Sequence, residues 1–71
     1  MKRYIIIFEK TEMGFGAYAP DIPGVGVTGK TKEEAENLIY EAIQFHFEGL
    51  QSEGLPLPRS VSEAEMLLIP A

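Results

Sequence analysis

The sequence has 71 residues, of which 45% are hydrophobic and 24% charged, and its formal net charge at pH 7 is -5. This composition excludes a disordered chain, and the acidic balance argues against direct nucleic-acid binding because a phosphate backbone would be repelled. A chain this short buries only about 60% of the surface that it exposes when unfolded. Since it has no cysteine and one histidine, we expect homo-oligomerisation to supply the missing stability.

The N-terminal residues MKRYIIIFEK have a basic pair and a short apolar run, as secretory signal peptides do. The run is shorter than a signal peptide requires, and Glu9 and Lys10 end it without a cleavage site. No stretch approaches the roughly 20 apolar residues that cross a bilayer. We therefore expect a cytoplasmic protein with no membrane partner, which agrees with the missing cysteines.

Three strands are predicted before the middle of the chain. Residues 3–9 are β-branched and aromatic on both faces, which is typical of a central strand. After a polar turn, residues 14–19 alternate in character and predict a second strand, antiparallel to the first. The prolines of PDIPG, residues 20–24, interrupt the sheet because they lack amide protons. Residues 25–28 then predict a short third strand.

A long helix is predicted to follow. Thr31 and Glu34 have capping-box spacing, in which the Thr31 hydroxyl accepts from the Glu34 amide and the Glu34 carboxylate accepts from the Thr31 amide. Gly54 and Pro56 are typical of a helix end. One apolar stripe runs along the helix and consists of Ala35, Ile39, Ala42, Ile43, His46 and Leu50.

Residues 65–69, EMLLI, predict a fourth strand after an extended linker. The predicted fold class is therefore α+β, in the order β-β-β-α-β, with one long helix packed on one face of a mostly antiparallel sheet. Because the first and last strands are apolar on both faces, we expect the open face or an edge to meet another subunit. The expected oligomer contacts are Tyr4, Ile6, Phe8, Tyr18, Tyr40 and Phe45. For any single one of Leu38, Tyr40 and Phe45, a place at the periphery of the core is the favoured interpretation.

Residues 24–31, GVGVTGKT, match the phosphate-loop pattern. A working phosphate loop lies between a buried parallel strand and a helix, whereas residues 25–28 alternate like a strand inside the motif. Thr31, which would hold magnesium, caps the helix, and the last strand offers no aspartate to complete a magnesium site. We interpret the motif as structural and expect no cofactor.

His46 and Asp21 are the residues to consider for chemistry. His46 would titrate near neutral pH, but its place in the apolar stripe favours a packed imidazole with one hydrogen bond. Asp21 lies between two prolines, which favours a turn over a carboxylate pair. One histidine without cysteine falls short of a zinc set. No catalytic or metal site is predicted, and a small-ligand-binding or enzymatic domain that uses His46 and Asp21 is the alternative function.

Residues 18–58 carry an aromatic strand end, a Pro-Asp-x-Pro-Gly turn, a Gly-x-Thr helix start, two Glu-Ala pairs and a helix end with Gly and Pro. These residues are Tyr18; Pro20, Asp21, Pro23 and Gly24; Gly29 and Thr31; Glu34, Ala35, Glu41 and Ala42; and Leu50, Gly54, Pro56 and Pro58. In this order and spacing, the sequence resembles the HicB-like antitoxin family, the antitoxin half of HicA/HicB toxin-antitoxin systems.

The resemblance implies one domain over residues 1–71, a two-layer fold partly like ribonuclease H and like double-stranded-RNA-binding domains, that assembles as a dimer or tetramer. It also implies a non-enzymatic antitoxin that binds and neutralises a small basic HicA-type toxin, which cleaves mRNA. A net charge of -5 suits such a partner. The turn of Pro20, Asp21, Pro23 and Gly24 is expected either to bind the partner or to be structural.

Two departures from the family pattern affect these expectations. Val25 stands where family members often have cysteine, a volume-conserving change that should cost little. Full antitoxins usually continue into a helix-turn-helix or ribbon-helix-helix domain that binds DNA, whereas this sequence stops at Ala71. Operator binding is therefore not carried over to this chain.

Overall fold

The computed structural model describes residues 1–71 and contains a three-stranded antiparallel sheet followed by one long helix. The strand order is β1-β2-β3, so β2 is central and the other two strands are edges. This confirms the predicted α+β class and its β-β-β-α arrangement. The elements are β1, Ile7–Thr11; β2, Gly14–Tyr18; β3, Gly26–Gly29; and α1, Lys32–Ser52.

The prediction of a fourth strand at residues 65–69 is wrong for this chain on its own, because residues 55–71 form neither helix nor strand. The prediction that the first strand is central is wrong for the same reason, since no strand flanks β1 on its outer side. β1 also begins at Ile7 rather than at residue 3. Its partner β2 ends at Tyr18, opposite Ile7, and the proline-containing turn that follows cannot extend the ladder.

Two glycines let backbones approach closely at one end of the sheet. A Cβ on Gly14 would collide with the carbonyl oxygen of Gly29 on β3, and φ at Gly14 is 154°. A Cβ on Gly29 would lie 2.7 Å from the Ala35 amide nitrogen in α1. These contacts allow β3 to pass directly into a helix that lies close against the sheet.

The N-terminus of α1 is capped by Thr31, whose hydroxyl oxygen accepts from the Glu34 amide at 3.0 Å, as predicted. The reciprocal bond differs from the prediction by one residue. The Glu34 carboxylate accepts from the Lys30 amide at 3.1 Å, not from the Thr31 amide. It still satisfies a backbone donor at the helix start, and its negative charge is favourable there.

The predicted C-terminal stop is confirmed. The Leu55 amide donates to the Leu50 carbonyl at 2.9 Å, and the Gly54 amide donates to the Gln51 carbonyl at 3.1 Å. Gly54 has φ of 71°, a left-handed conformation that glycine adopts without steric cost. The three features together form a Schellman motif.

The core lies where α1 packs against β2 and β3. Only five of the 71 residues are fully buried: Ala17, Ala19, Ile22, Ala35 and Ile39. The other members of the predicted helix stripe are half-buried, so the stripe faces the sheet as expected. A core this small fits the sequence argument that the chain needs further stabilisation.

The Thr31 cap gives a first prediction. We expect Thr31→Ala to lower the free energy of unfolding by about 1 kcal/mol, because the Glu34 amide loses its acceptor. Thr31→Ser keeps the hydroxyl and should lose much less. Urea denaturation at one fixed protein concentration measures both. An equal loss in the two variants would show that the methyl group, rather than the hydrogen bond, is what matters.

Candidate partner-binding site

The PDIPG turn, residues 20–24, leaves the sheet directly after β2. Ile22 anchors it from within, since its side chain is 1% exposed and its amide donates to the Ala19 carbonyl at 3.1 Å. Gly24 closes the turn with φ of 82°, in the left-handed region. Pro20 and Pro23 remain exposed. The turn is therefore a fixed projection with two proline rings on its surface.

The Asp21 carboxylate binds the C-terminal segment, which we define as residues 55–71. Its Oδ2 accepts from the Val61 amide at 2.9 Å and from the Ser62 amide at 2.8 Å. Its Oδ1 accepts from the Ser62 hydroxyl at 2.7 Å. Three charge-assisted hydrogen bonds to one carboxylate fix a segment that has no helix or strand of its own.

The sequence did not indicate this contact, because Asp21 and Ser62 are 41 residues apart and no local pattern links them. The expected turn is present, but the Asp21 side chain points to residues 61 and 62 rather than to a second carboxylate. No group of three or more His, Cys, Asp or Glu side chains is placed to hold a metal ion.

The hydrogen bonds lower the pKa of Asp21 below its usual range. The largest cause is the bond from the Ser62 hydroxyl, the backbone amides of Ser62 and Val61 act in the same direction, and partial desolvation opposes them. Asp21 is therefore ionised at neutral pH. Its carboxylate accepts all three bonds in that state.

Tyr4 provides a second attachment for the C-terminal segment. Its hydroxyl donates to the Pro58 carbonyl at 2.6 Å, and its ring meets Phe47 edge-on with centroids 5.5 Å apart. Tyr4 was predicted as an oligomer contact, and in this structure it is half-buried against its own chain. The segment is thus held at residue 58 and again at residues 61 and 62.

An apolar groove runs between the β1 side of the sheet and α1, and we call it the β1 groove. It arises because α1 packs on β2 and β3 and leaves β1 largely uncovered. Phe8 is partly covered by Lys32, whose Nζ lies 5.1 Å from the ring centroid. The groove is lined mainly by Tyr4, Ile6, Phe8, Tyr40, Ile43 and Phe47.

The other predicted oligomer contacts lie elsewhere. Tyr18 is 40% exposed on the sheet face opposite the helix, because its neighbours Ala17 and Ala19 face the core. Phe45 is 78% exposed on α1, and Tyr40, which lines the β1 groove, is 63% exposed. The favoured interpretation, a place at the periphery of the core, therefore fits neither Tyr40 nor Phe45.

His46 is half-buried in a shallow groove that also contains Glu48 and Glu53. The centroid of its ring lies 6.4 Å from the centroid of the Phe47 ring. None of the side-chain hydrogen bonds involves His46. The imidazole is thus partly packed, as expected, but lacks the expected hydrogen bond. Asp21 is not among the residues that line this groove.

The phosphate-loop pattern has no phosphate cradle in the structure. Residues 26–29 form β3, Gly29 lies against Ala35, and the Thr31 hydroxyl is occupied by the Glu34 amide. Lys30 is exposed. The motif therefore provides a strand, a close backbone approach and a helix cap.

The protein is a small α+β unit whose surface presents an open strand edge, an apolar groove and a rigid turn, and none of its helices is long and apolar enough to cross a membrane. A family model described as the HicB-like antitoxin of bacterial toxin-antitoxin systems matches residues 4–69. The chain belongs to this family. Membership of this family supports an antitoxin role.

Three proteins are similar to this chain over most of its length. A chain of the solved HicA3 and HicB3 toxin-antitoxin complex superposes with a TM-score of 0.70 at 38% identity, over 84% of this chain and 70% of that chain. An uncharacterised 14.9 kDa protein of Haemophilus phage HP1 is 40% identical over 57 residues, which are 80% of this chain but 43% of the phage protein. A UPF0150 protein of Thermoplasma acidophilum is 37% identical over 86% of this chain and 90% of its own length.

The Asp21 contact gives a second prediction. In Asp21→Ala, the Val61 and Ser62 amides lose their acceptor, and their hydrogen exchange should accelerate at least tenfold, while amides of α1 change little. Ser62→Ala removes only the hydroxyl bond and should have a smaller effect. Glu12→Gln removes one negative charge at an exposed turn and serves as the control. Unchanged exchange in Asp21→Ala would contradict the structure.

The lowered pKa gives a third prediction, which concerns pH. Because the folded-state pKa lies below the unfolded one, the stabilisation by Asp21 is complete above the unfolded pKa and is lost as the pH falls through the folded pKa. Asp21 is the only aspartate in the chain, so carboxyl NMR can follow it directly. Its pKa should rise towards the ordinary value in Ser62→Ala. An unshifted pKa in the parent protein would refute the contact.

Proposed function

We propose that this chain is an antitoxin that binds and neutralises a small basic toxin of the HicA type. The observation that carries the proposal is the match to a chain of the HicA3 and HicB3 complex, at a TM-score of 0.70 and 38% identity. The family match over residues 4–69 supports it. The proposed role is non-enzymatic and cytoplasmic, and it needs no cofactor.

Charge supports a basic partner. The chain has eleven acidic and six basic residues, so its average field attracts a basic protein and repels nucleic acid. We propose that this attraction speeds the encounter with the toxin. Direct nucleic-acid binding is not part of the proposed role.

We propose that the toxin contacts the exposed side of the PDIPG turn and the adjacent sheet face. Pro20 and Pro23 are exposed there, and Tyr18 offers a partly exposed aromatic ring next to them. Tyrosine is enriched among the residues that carry most of the binding energy of protein interfaces. Asp21 acts indirectly in this scheme, because its carboxylate is occupied by residues 61 and 62.

The proposed function predicts complex formation with a small basic protein encoded beside this one. Co-expression should yield a complex on pull-down and should restore growth that the other protein alone arrests. The association rate should fall as the salt concentration rises, because exposed charges are screened. A protein pair that neither forms a complex nor restores growth would overturn the antitoxin role and leave the fold unaffected.

A matched pair of variants tests the proposed face. Tyr18→Ala should weaken toxin binding at least tenfold, because it removes the aromatic ring from the contact surface. Met13→Ala truncates a side chain that is 89% exposed in the hairpin turn at the other end of the sheet, and it should bind normally. Equal binding by both variants would place the toxin on a different surface.

A further inference from the structure

The end of the chain is apolar and exposed, and we call residues 63–71 the tail. Met66 and Leu68 are 98% and 101% exposed, and Leu67 and Ile69 are mostly exposed as well. Four consecutive large apolar side chains in water form a patch of the kind that marks a protein-protein contact. Pro70 follows at once, where a strand would have to end.

The outer edge of β1 offers unpaired backbone groups. The two-residue turn makes Thr11 and Gly14 a hydrogen-bonded pair, so Glu9 and Ile7 also bond to β2. The amide and carbonyl groups of Phe8 and Lys10 therefore face away from β2. No strand of the same chain pairs with these groups. An open edge of this kind is a template for one more strand.

The β1 groove lies beside this edge and matches the tail in character. A strand added along β1 would place alternate side chains over the groove, against Ile6, Phe8 and Ile43. Either alternate set of the tail is apolar, since Met66 and Leu68 form one set and Leu67 and Ile69 form the other. The groove and the tail can therefore bury one another.

Charge also favours this pairing. Lys2, Arg3 and Lys10 flank the apolar part of the first strand, whereas Glu63 and Glu65 precede the apolar part of the tail, which contains no basic residue. Opposite charges thus lie at the margins of the two surfaces.

The anchored part of the C-terminal segment directs the tail away from its own β1 edge. Residue 58 is attached to Tyr4, and residues 61 and 62 are attached to Asp21 beyond the end of β2. The chain thus passes from the β1 side of the sheet towards β2 before the tail begins. The radius of gyration is 14.0 Å, against about 11 Å for a compact chain of this length, and the longest dimension is 49 Å.

We propose that two copies of this chain exchange their tails, so that residues 65–69 of each copy form the fourth strand on the β1 edge of the other. The arrangement is two-fold symmetric, and each copy contributes one edge and one tail. The inference specifies how the expected homo-oligomer forms, and it does not depend on the proposed binding of a toxin. It also explains why a segment with strand composition has no ladder within one chain.

The first test is the mass in solution. Light scattering at about 100 μM should give twice the chain mass of 7.9 kDa. Leu68→Lys, which places a charge in the tail, should weaken the dimer at least tenfold. Ser60→Lys makes the same change in charge at an exposed position before the tail and should leave the dimer intact. A monomeric parent protein, or a Leu68→Lys dimer as tight as the parent, would overturn the proposal.

The second test locates the contact and uses the absence of cysteine in the chain. Lys10→Cys is mixed with single-cysteine variants at residues 66–68, and mild oxidation should form a disulfide between two chains for at least one of them. Asn37→Cys, on the exposed side of α1, replaces Lys10→Cys in the control and should not form it. In the double variant with Lys10→Cys and a tail cysteine, an intramolecular disulfide would show that the tail folds back, which would overturn the exchange.

The toxin is a separate variable in these tests. A tail-exchanged dimer that captures no basic partner would refute the antitoxin role and leave the exchange standing. If a chain whose tail is not exchanged forms a complex with the toxin, the exchange is refuted and the antitoxin role stands.

Discussion

The close approach of α1 to the sheet at Gly29 and Ala35 is the constraint on which the other features depend. A Cβ on Gly29 would lie 2.7 Å from the Ala35 amide nitrogen, and Ala35 is completely buried. Helix and sheet meet here through the smallest side chains. Because the helix starts directly after β3, it lies over β3 and β2 and leaves β1 open. The open edge and the β1 groove follow from that placement.

The Asp21 carboxylate adds the second level of organisation. The PDIPG turn is fixed by buried Ile22, and its aspartate holds residues 61 and 62. A negative charge with three donors is a strong and directional attachment. The turn that carries part of the family resemblance is thus structural in this chain, and the residues beside its aspartate stay exposed. The turn can be structural and still present a surface to a partner, since Asp21 faces the C-terminal segment while Pro20 and Pro23 face solvent.

A core of five buried residues leaves much apolar surface exposed for so short a chain. The exposed surface is divided between the tail, the β1 groove and the region around Tyr18. Tail exchange would cover the first two, and toxin binding is proposed for the third. The two proposed contacts use different surfaces, so an antitoxin dimer could bind toxin without dissociating. Under these two proposals, the expected oligomer contacts Ile6, Phe8 and Tyr40 would serve self-association and Tyr18 would serve the partner.

The sequence by itself determined the three strands, the capped helix and its Schellman end, because alternation, capping residues and glycine conformation act over a few neighbours. It also favoured a structural interpretation of GVGVTGKT. Only the tertiary structure decided that residues 65–69 form no strand within the chain, that β1 is an edge strand and that Asp21 binds the C-terminal segment. A strand needs a partner strand, and a carboxylate needs donors. The donors to Asp21 lie about 40 residues away along the sequence. A partner strand for residues 65–69 is absent from the single chain. No local pattern can indicate either of them.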